Sequence, residues 1–327
     1  MEQIRSSNRI MEAGDHFKNG ASSKSLMSRR NFFGTWTKPV VMAFVIGIFA
    51  LTGCDKDGVE GVDFTGGLWL KMGDNSIVPT SDIDFYDVST HMIYLKKKLP
   101  YLEKVDRGGS ISVYVGRDKI YNCSFHPLYL SSLPVGAYTS NPRLHEEDII
   151  RISFQPYTGI EDRRDDERII AALKRYNQYH EGLHCEIQSV QVSNGKVVLK
   201  FELSNPDTFD YYYLDPDKMG FGLFHYFTNG PTFQTVPYAK SYTHQETVIR
   251  PEPWNSWKKE WLTLIKSGER KNISITYNQF ESVPAGNYRM YFGFPGLNYG
   301  ISQKDLTLEN GRIWMGSISA EKDVTIR

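Results

Sequence analysis

"LTLIKSGERKNISITYNQFESVPAGNYRMYF", residues 262 to 292, sets the architecture. Its pieces "KNISITY" (271 to 277) and "NYRMYFGF" (287 to 294) are β-branched and aromatic and read as strands. A turn containing Gly268 precedes the first, and Pro284 with Gly286 sets a turn before the second. "KVVLKFEL" (196 to 203), "GFGLFHYF" (220 to 227) and "DVTIR" (323 to 327) read as further strands of the same region. Upstream, "HMIYLKK" (91 to 97), "SISVYVG" (110 to 116), "KIYNCSF" (119 to 125) and "DIIRISF" (148 to 154) are short segments bounded by Gly and Pro clusters. Short strands at such spacing predict all-β sandwich structure.

One segment breaks the pattern. In "IEDRRDDERIIAALKRYNQYHEG", Asp162, Asp165 and Asp166 crowd the start, Lys174 and Arg175 follow, and Ile169, Ala172, Leu173, Tyr176 and His180 keep helical spacing. The pattern predicts an amphipathic helix from about Asp165 to Glu181.

Residues 262 to 292 resemble the late strands of bacterial immunoglobulin-like or fibronectin type III-like domains. There a Gly-containing turn, a strand, an "aG-x-Y" corner and another strand recur. Ser132-Leu133-Pro134-Val135-Gly136-Ala137-Tyr138 echoes Ser282-Val283-Pro284-Ala285-Gly286-Asn287-Tyr288, and a Tyr there can pack and hydrogen-bond at a sandwich corner. The resemblance implies a mainly β protein of two tandem immunoglobulin-like sandwiches, 66–160 and 183–327, joined by a helix within 161–182. Chance similarity between two β-turns is the rival explanation of the echo.

Arg29, Arg30 and Lys38 precede an apolar run from Val40 to Leu51, and small residues follow. This is a secretory layout, too short for an ordinary membrane-spanning helix. The ending Leu51-Thr52-Gly53-Cys54 resembles a bacterial lipobox. That implies cleavage after residue 53, acylation of Cys54, and a Gly- and Asp-rich tether over 54–65. Ser28-Arg29-Arg30-Asn31-Phe32-Phe33 resembles the twin-arginine motif, and general secretion is an equal expectation. Asp55 and Asp57 suit inner-membrane retention in some lipoproteins and surface export in others. A lipid-anchored address at the outer membrane or cell surface is favoured.

Thirty-eight basic residues balance thirty-eight acidic ones, so nucleic acid and anionic lipid surfaces are not expected partners. No Walker loop, G-x-G-x-x-G, G-x-S-x-G or C-x-x-C occurs, and no cofactor is expected. Cys123 and Cys185 are read as free thiols in separate regions, although an oxidising compartment would permit pairing.

His180-Glu181-Gly182-Leu183-His184 matches H-E-x-x-H, in which one helix face carries both imidazoles to zinc while the Glu activates water. Gly182 argues that the helix stops near Glu181, and no third ligand stands where zinc peptidases place one. A metal site at His180, Glu181 and His184 is therefore the alternative reading. Trp254, Trp257 and Trp261 fall on one face if helical, and Tyr211, Tyr212 and Tyr213 stand in a row beside Asp215 and Asp217. Tyr212 and the three tryptophans are the candidate ligand contacts. The favoured function is non-enzymatic binding or assembly, with a glycan or an envelope protein as ligand; an envelope zinc peptidase is the alternative.

Overall fold

The computed structural model describes residues 62–99, 109–127, 130–140, 146–228, 230–298 and 301–327, within a compact unit Asp55–Arg327. The secretory segment and Cys54 lie outside the described residues.

A four-stranded sheet organises the molecule. Ile83–Asp87, Met92–Leu95 and Ile149–Arg151 lie side by side, with Tyr179–His180 along one edge. Successive side chains on these strands enter opposite cores: Tyr86, Ile93, Leu95 and Ile150 one, Phe85, Met92, Tyr94 and Ile149 the other. Both faces are covered, and the central strand Met92–Leu95 is accordingly a continuous, fully buried apolar run rather than an alternating one. "DIIRISF" divides at Ile152, because Ser153–Gln155 joins a different sheet.

The first core lies between this sheet and a six-stranded one built on Leu68–Met72, Ser110–Val115 and Asp118–Phe125. Helix α1 (Glu167–Arg175) closes it with Ile169, Ala172 and Leu173. Asp166 caps α1 by accepting the Arg168 N–H at 3.1 Å. The helix is shorter than its periodicity predicts. It ends at Arg175 and the chain reverses at Asn177 (φ 54°), so that Tyr179–His180 can pair in parallel with Tyr86–Asp87.

The second core lies between the other face of the central sheet and three further sheets. His184–Ser193 and Lys196–Ser204 form a hairpin over Asn194-Gly195, both at positive φ, and Arg270–Tyr277 joins them. The side chains of Leu199, Phe201 and Leu203 meet those of Phe292 and Phe294 from Gly286–Pro295, with Phe201–Phe292 ring centroids 5.1 Å apart. The Tyr288 hydroxyl donates to the Pro284 carbonyl at 2.9 Å, the corner bond expected of that tyrosine. The protein is mainly β, of the β-sandwich class.

"GFGLFHYF" is not a strand. After Pro216–Met219 (α2), Gly220 at φ 75° redirects the chain into Phe221–Phe224 (α3). Short apolar runs fit a buried helical turn as well as a strand, and Phe224 fills the second core from that turn.

Candidate functional site

His180 and His184 stand on different strands, Tyr179–His180 and His184–Ser193, so no helix aligns them. His180 therefore lies outside the helix expected to reach Glu181. It is buried, its ring stacks on Phe209 at 3.8 Å, and its Nδ1 lies 2.7 Å from Asp207 Oδ1. The other Asp207 oxygen accepts the Gly182 N–H and the Tyr211 hydroxyl, each at 2.9 Å. Burial would raise the Asp207 carboxyl, but His180 and these donors hold it down at about 2. Gly182, at φ 72°, touches the second buried carboxylate of this centre. A Cβ there would overlap Asp87 and the Ser89 hydroxyl, so the glycine is required by close approach. Burial pushes the Asp87 carboxyl up to about 6 against the lowering effect of its Ser89 hydrogen bond. His184 is exposed, 3.5 Å from Glu181. No cluster of three His, Cys, Asp or Glu side chains suited to a metal occurs among the described residues.

The tryptophans share no helix face. Trp254 lies in an exposed turn, Trp257 packs half-buried on the second core, and Trp261 is buried at the end of the 3₁₀ turn Lys259–Trp261. Pro253 and the non-helical stretch to Lys258 remove the assumed 3.6-residue period. Tyr212 is half-buried between the buried Tyr211 and Tyr213 on Tyr211–Leu214, and also packs on the core. Asp215 caps α2 and accepts the Thr263 hydroxyl, so it is engaged in the fold. Cys123 and Cys185 are free, the first buried in the first core. Arg164 and Arg168 pair with Asp162 and Asp166 across the helix start.

A groove appears where sequence reasoning proposed nothing. Along Gly286–Pro295, alternate residues Tyr288, Met290, Phe292 and Phe294 enter the core, so Tyr291 and Gly293 face outward. Tyr291 pairs with Thr232 of Thr232–Thr235, and Gly293 with Ser319 of Ser317–Ile326. This outer sheet face floors two hollows of about 480 and 430 Å³ that meet at Gly293 and Ser317. One is walled by Tyr226, Phe227 and Thr228, which follow α3, with Gln234 on its floor. The other is walled from the first region by Ser89, Thr90, His91, Tyr138, Phe154, Arg151 and Arg164.

Hydrogen bonds fix the groove's shape. The Thr228 hydroxyl donates to the Gly293 carbonyl at 2.5 Å and receives the Gly230 N–H at 3.3 Å. Gly293 supplies the joint between the hollows because it has no side chain: a Cβ there would meet Thr228 Oγ1 alone, at 3.7 Å. The Tyr86 hydroxyl lies 3.0 Å from His91 Nδ1, and burial followed by the nearby Arg164 pushes this imidazole down to about 3, leaving it neutral. No Asp or Glu is among the described residues lining either hollow. The surface is therefore aromatic rings, hydroxyls and one carboxamide, with cationic groups at one end.

No family model matches the chain, and no curated protein matches it. Among solved structures, a β-glucosidase from Kluyveromyces marxianus in complex with glucose aligns at 13% identity and a TM-score of 0.20, covering 44% of this chain and 14% of that enzyme. The selenomethionine-labelled form of the same enzyme aligns with 46% and 14% coverage at the same identity and TM-score. This chain thus spans a small part of that enzyme's length, and a likeness of this size carries no argument about fold or activity.

Proposed function

We propose that this protein is a lipid-anchored envelope or cell-surface lipoprotein that binds a glycan in the groove over Tyr291 and Gly293. One observation carries the binding reading. An open groove combines half-buried rings (Tyr226, Tyr291, Tyr138) with Thr232, Gln234, Ser317 and Ser319 on a rigid sheet. Sugar rings offer apolar C–H faces for aromatic stacking and equatorial hydroxyls for neutral donors and acceptors, which is the chemistry this surface presents.

The anchor rests on the sequence: the basic and apolar run before Leu51-Thr52-Gly53-Cys54 supports acylation at Cys54. Two or more acyl chains at one residue suffice for stable attachment. Metabolic labelling with an alkynyl palmitate should mark the wild type and not Cys54→Ala. For the groove, the chain from Asp55 onward is applied to a glycan array beside a Tyr291→Ala/Gln234→Ala double variant. Retention of a defined oligosaccharide, weakened at least tenfold in the variant, is expected. Equal retention by both would remove the groove from the reading.

A further inference from the structure

Taking the glycan reading as its basis, we infer that the glycan carries an acetyl group, as amide or ester, whose carbonyl accepts a hydrogen bond from His91 Nε2–H while its methyl lies against Tyr138 and Phe154. The polarity of the His91 ring carries this, together with what the same hollow lacks.

His91 closes the turn between Ile83–Asp87 and Met92–Leu95 in left-handed backbone (φ 53°), a conformation in which histidine is enriched. Its Nδ1 lies 3.0 Å from the hydroxyl of the buried Tyr86. That hydroxyl has no other hydrogen-bond partner among the described residues. A buried O–H without an acceptor is costly, so Tyr86 donates and Nδ1 accepts. The Asp165 carboxylate is 3.9 Å from the same nitrogen, beyond hydrogen-bond reach. The ring is neutral, so its one proton sits on Nε2. Among the described residues Nε2 has no partner, and it is not sealed in the interior. Because the ring lines the hollow walled by the first region, this N–H is presented there.

Other donors of this hollow are engaged in the fold. Ser89 donates to Asp87 Oδ1 at 2.6 Å, Arg164 to Asp162 and the Ile152 carbonyl, and Arg151 to Asn298 and Ser317. No carboxylate or carboxamide is among the described residues lining this hollow. A group arriving at His91 therefore meets a fixed donor and no side chain that only accepts. A sugar hydroxyl placed there brings a proton that needs an acceptor of its own; a carbonyl brings none. The half-buried rings of Tyr138 and Phe154 line the same hollow and give a methyl an apolar seat. An acetyl group joins the two features. Beyond Gly293, the second hollow has Gln234, which both donates and accepts and so suits unmodified hydroxyls. Acetylation is read at one end of the groove.

The test is an array of oligosaccharides matched in length and linkage, each N-acetylated, O-acetylated or with a hydroxyl in the acetyl group's place, probed with the chain from Asp55 onward. One or both acetylated forms should be retained about tenfold better than the hydroxyl form, the effect of one added hydrogen bond, and which form gains tells amide from ester. His91→Asn keeps a residue type that tolerates left-handed backbone but shortens the side chain. It should abolish the preference and leave retention of the hydroxyl form in place; a preference kept by the folded variant would overturn the inference. Should His91→Asn fold poorly, saturation-transfer NMR on the wild type takes its place. The acetyl methyl protons should then be saturated more strongly than the sugar-ring protons, and the reverse order would overturn the inference. Equal or weaker retention of the acetylated members would overturn it too and leave the glycan reading standing. Retention of no array member would overturn the glycan reading itself, and this inference with it.

Discussion

The buried centre at His180 and the open groove at Gly293 are both polar, yet they are built on opposite terms. In the first, each Asp207 oxygen already has donors from His180, Gly182 or Tyr211, and two aromatic rings shut out water. In the second, hydroxyls and rings line open hollows, with the Thr228 hydroxyl bonded to the Gly293 carbonyl and the Ser317 hydroxyl bonded by Arg151. Satisfied polar groups in a dry interior specify packing, whereas polar groups lining an open hollow are also reached by solvent. A zinc-like sequence pattern belongs to the former kind here, and a stretch with no motif to the latter.

Removing Asp207 should separate the two regions most sharply. Asp207→Ala strands the His180 imidazole, the Gly182 N–H and the Tyr211 hydroxyl in a dry interior. Unfolding by urea should show a loss of about 3–5 kcal/mol. A loss below about 1 kcal/mol would mean that the centre holds nothing together.

Tyr291→Ala should give the reverse signature, a binding loss of about 1–2 kcal/mol from the missing ring contact with stability little changed. Paired titration calorimetry and thermal melting would decide. Loss of stability without loss of binding would place Tyr291 with the packing residues.

The two carboxylates of the buried centre respond oppositely to pH. Asp87 has its folded pKa raised to about 6, so its contribution to stability is present below the ordinary carboxylate value and is lost as pH rises through 6. Asp207, held at about 2, contributes above the ordinary value and loses that contribution as pH falls through 2. Asp87→Asn should therefore stabilise the protein at pH 7, by roughly 1 kcal/mol, and the gain should vanish towards pH 4. A gain that does not change with pH would rule out titration of Asp87 as its source.

The smallest effect belongs to His184. Exposed and 3.5 Å from Glu181, it should be replaceable by Ala with a stability change within about 0.5 kcal/mol. Zinc content, measured alongside, should not depend on it; a stoichiometric zinc lost with His184 would revive the peptidase alternative.

What the sequence made legible follows from how local the causes are. Strands such as Ser110–Val115, Lys196–Ser204 and Arg270–Tyr277 carry their own β-branched and aromatic signal, and Tyr288 announces its corner through Pro284 and Gly286. Phe221–Phe224 misleads because a four-residue apolar turn has no period to read. The tryptophan stripe misleads because spacing implies a face only if a helix exists. The groove was illegible for a different reason. Tyr291 and Gly293 come from one strand, Ser317 from another, and Thr90 and Arg151 from a region more than 130 residues earlier. Alternation along "NYRMYFGF" could have shown that Tyr291 and Gly293 face away from the core. Nothing local indicates that the first region walls that face.

The most direct measurement fills the groove at its joint. Gly293 lies in extended strand geometry where a Cβ meets Thr228 Oγ1 alone, so Gly293→Trp should fold while its indole occupies the meeting point of the two hollows. Oligosaccharide retention on the array should disappear at an unchanged melting temperature. Full retention by a folded Gly293→Trp protein would show that the ligand binds elsewhere and would contradict the groove as the functional site.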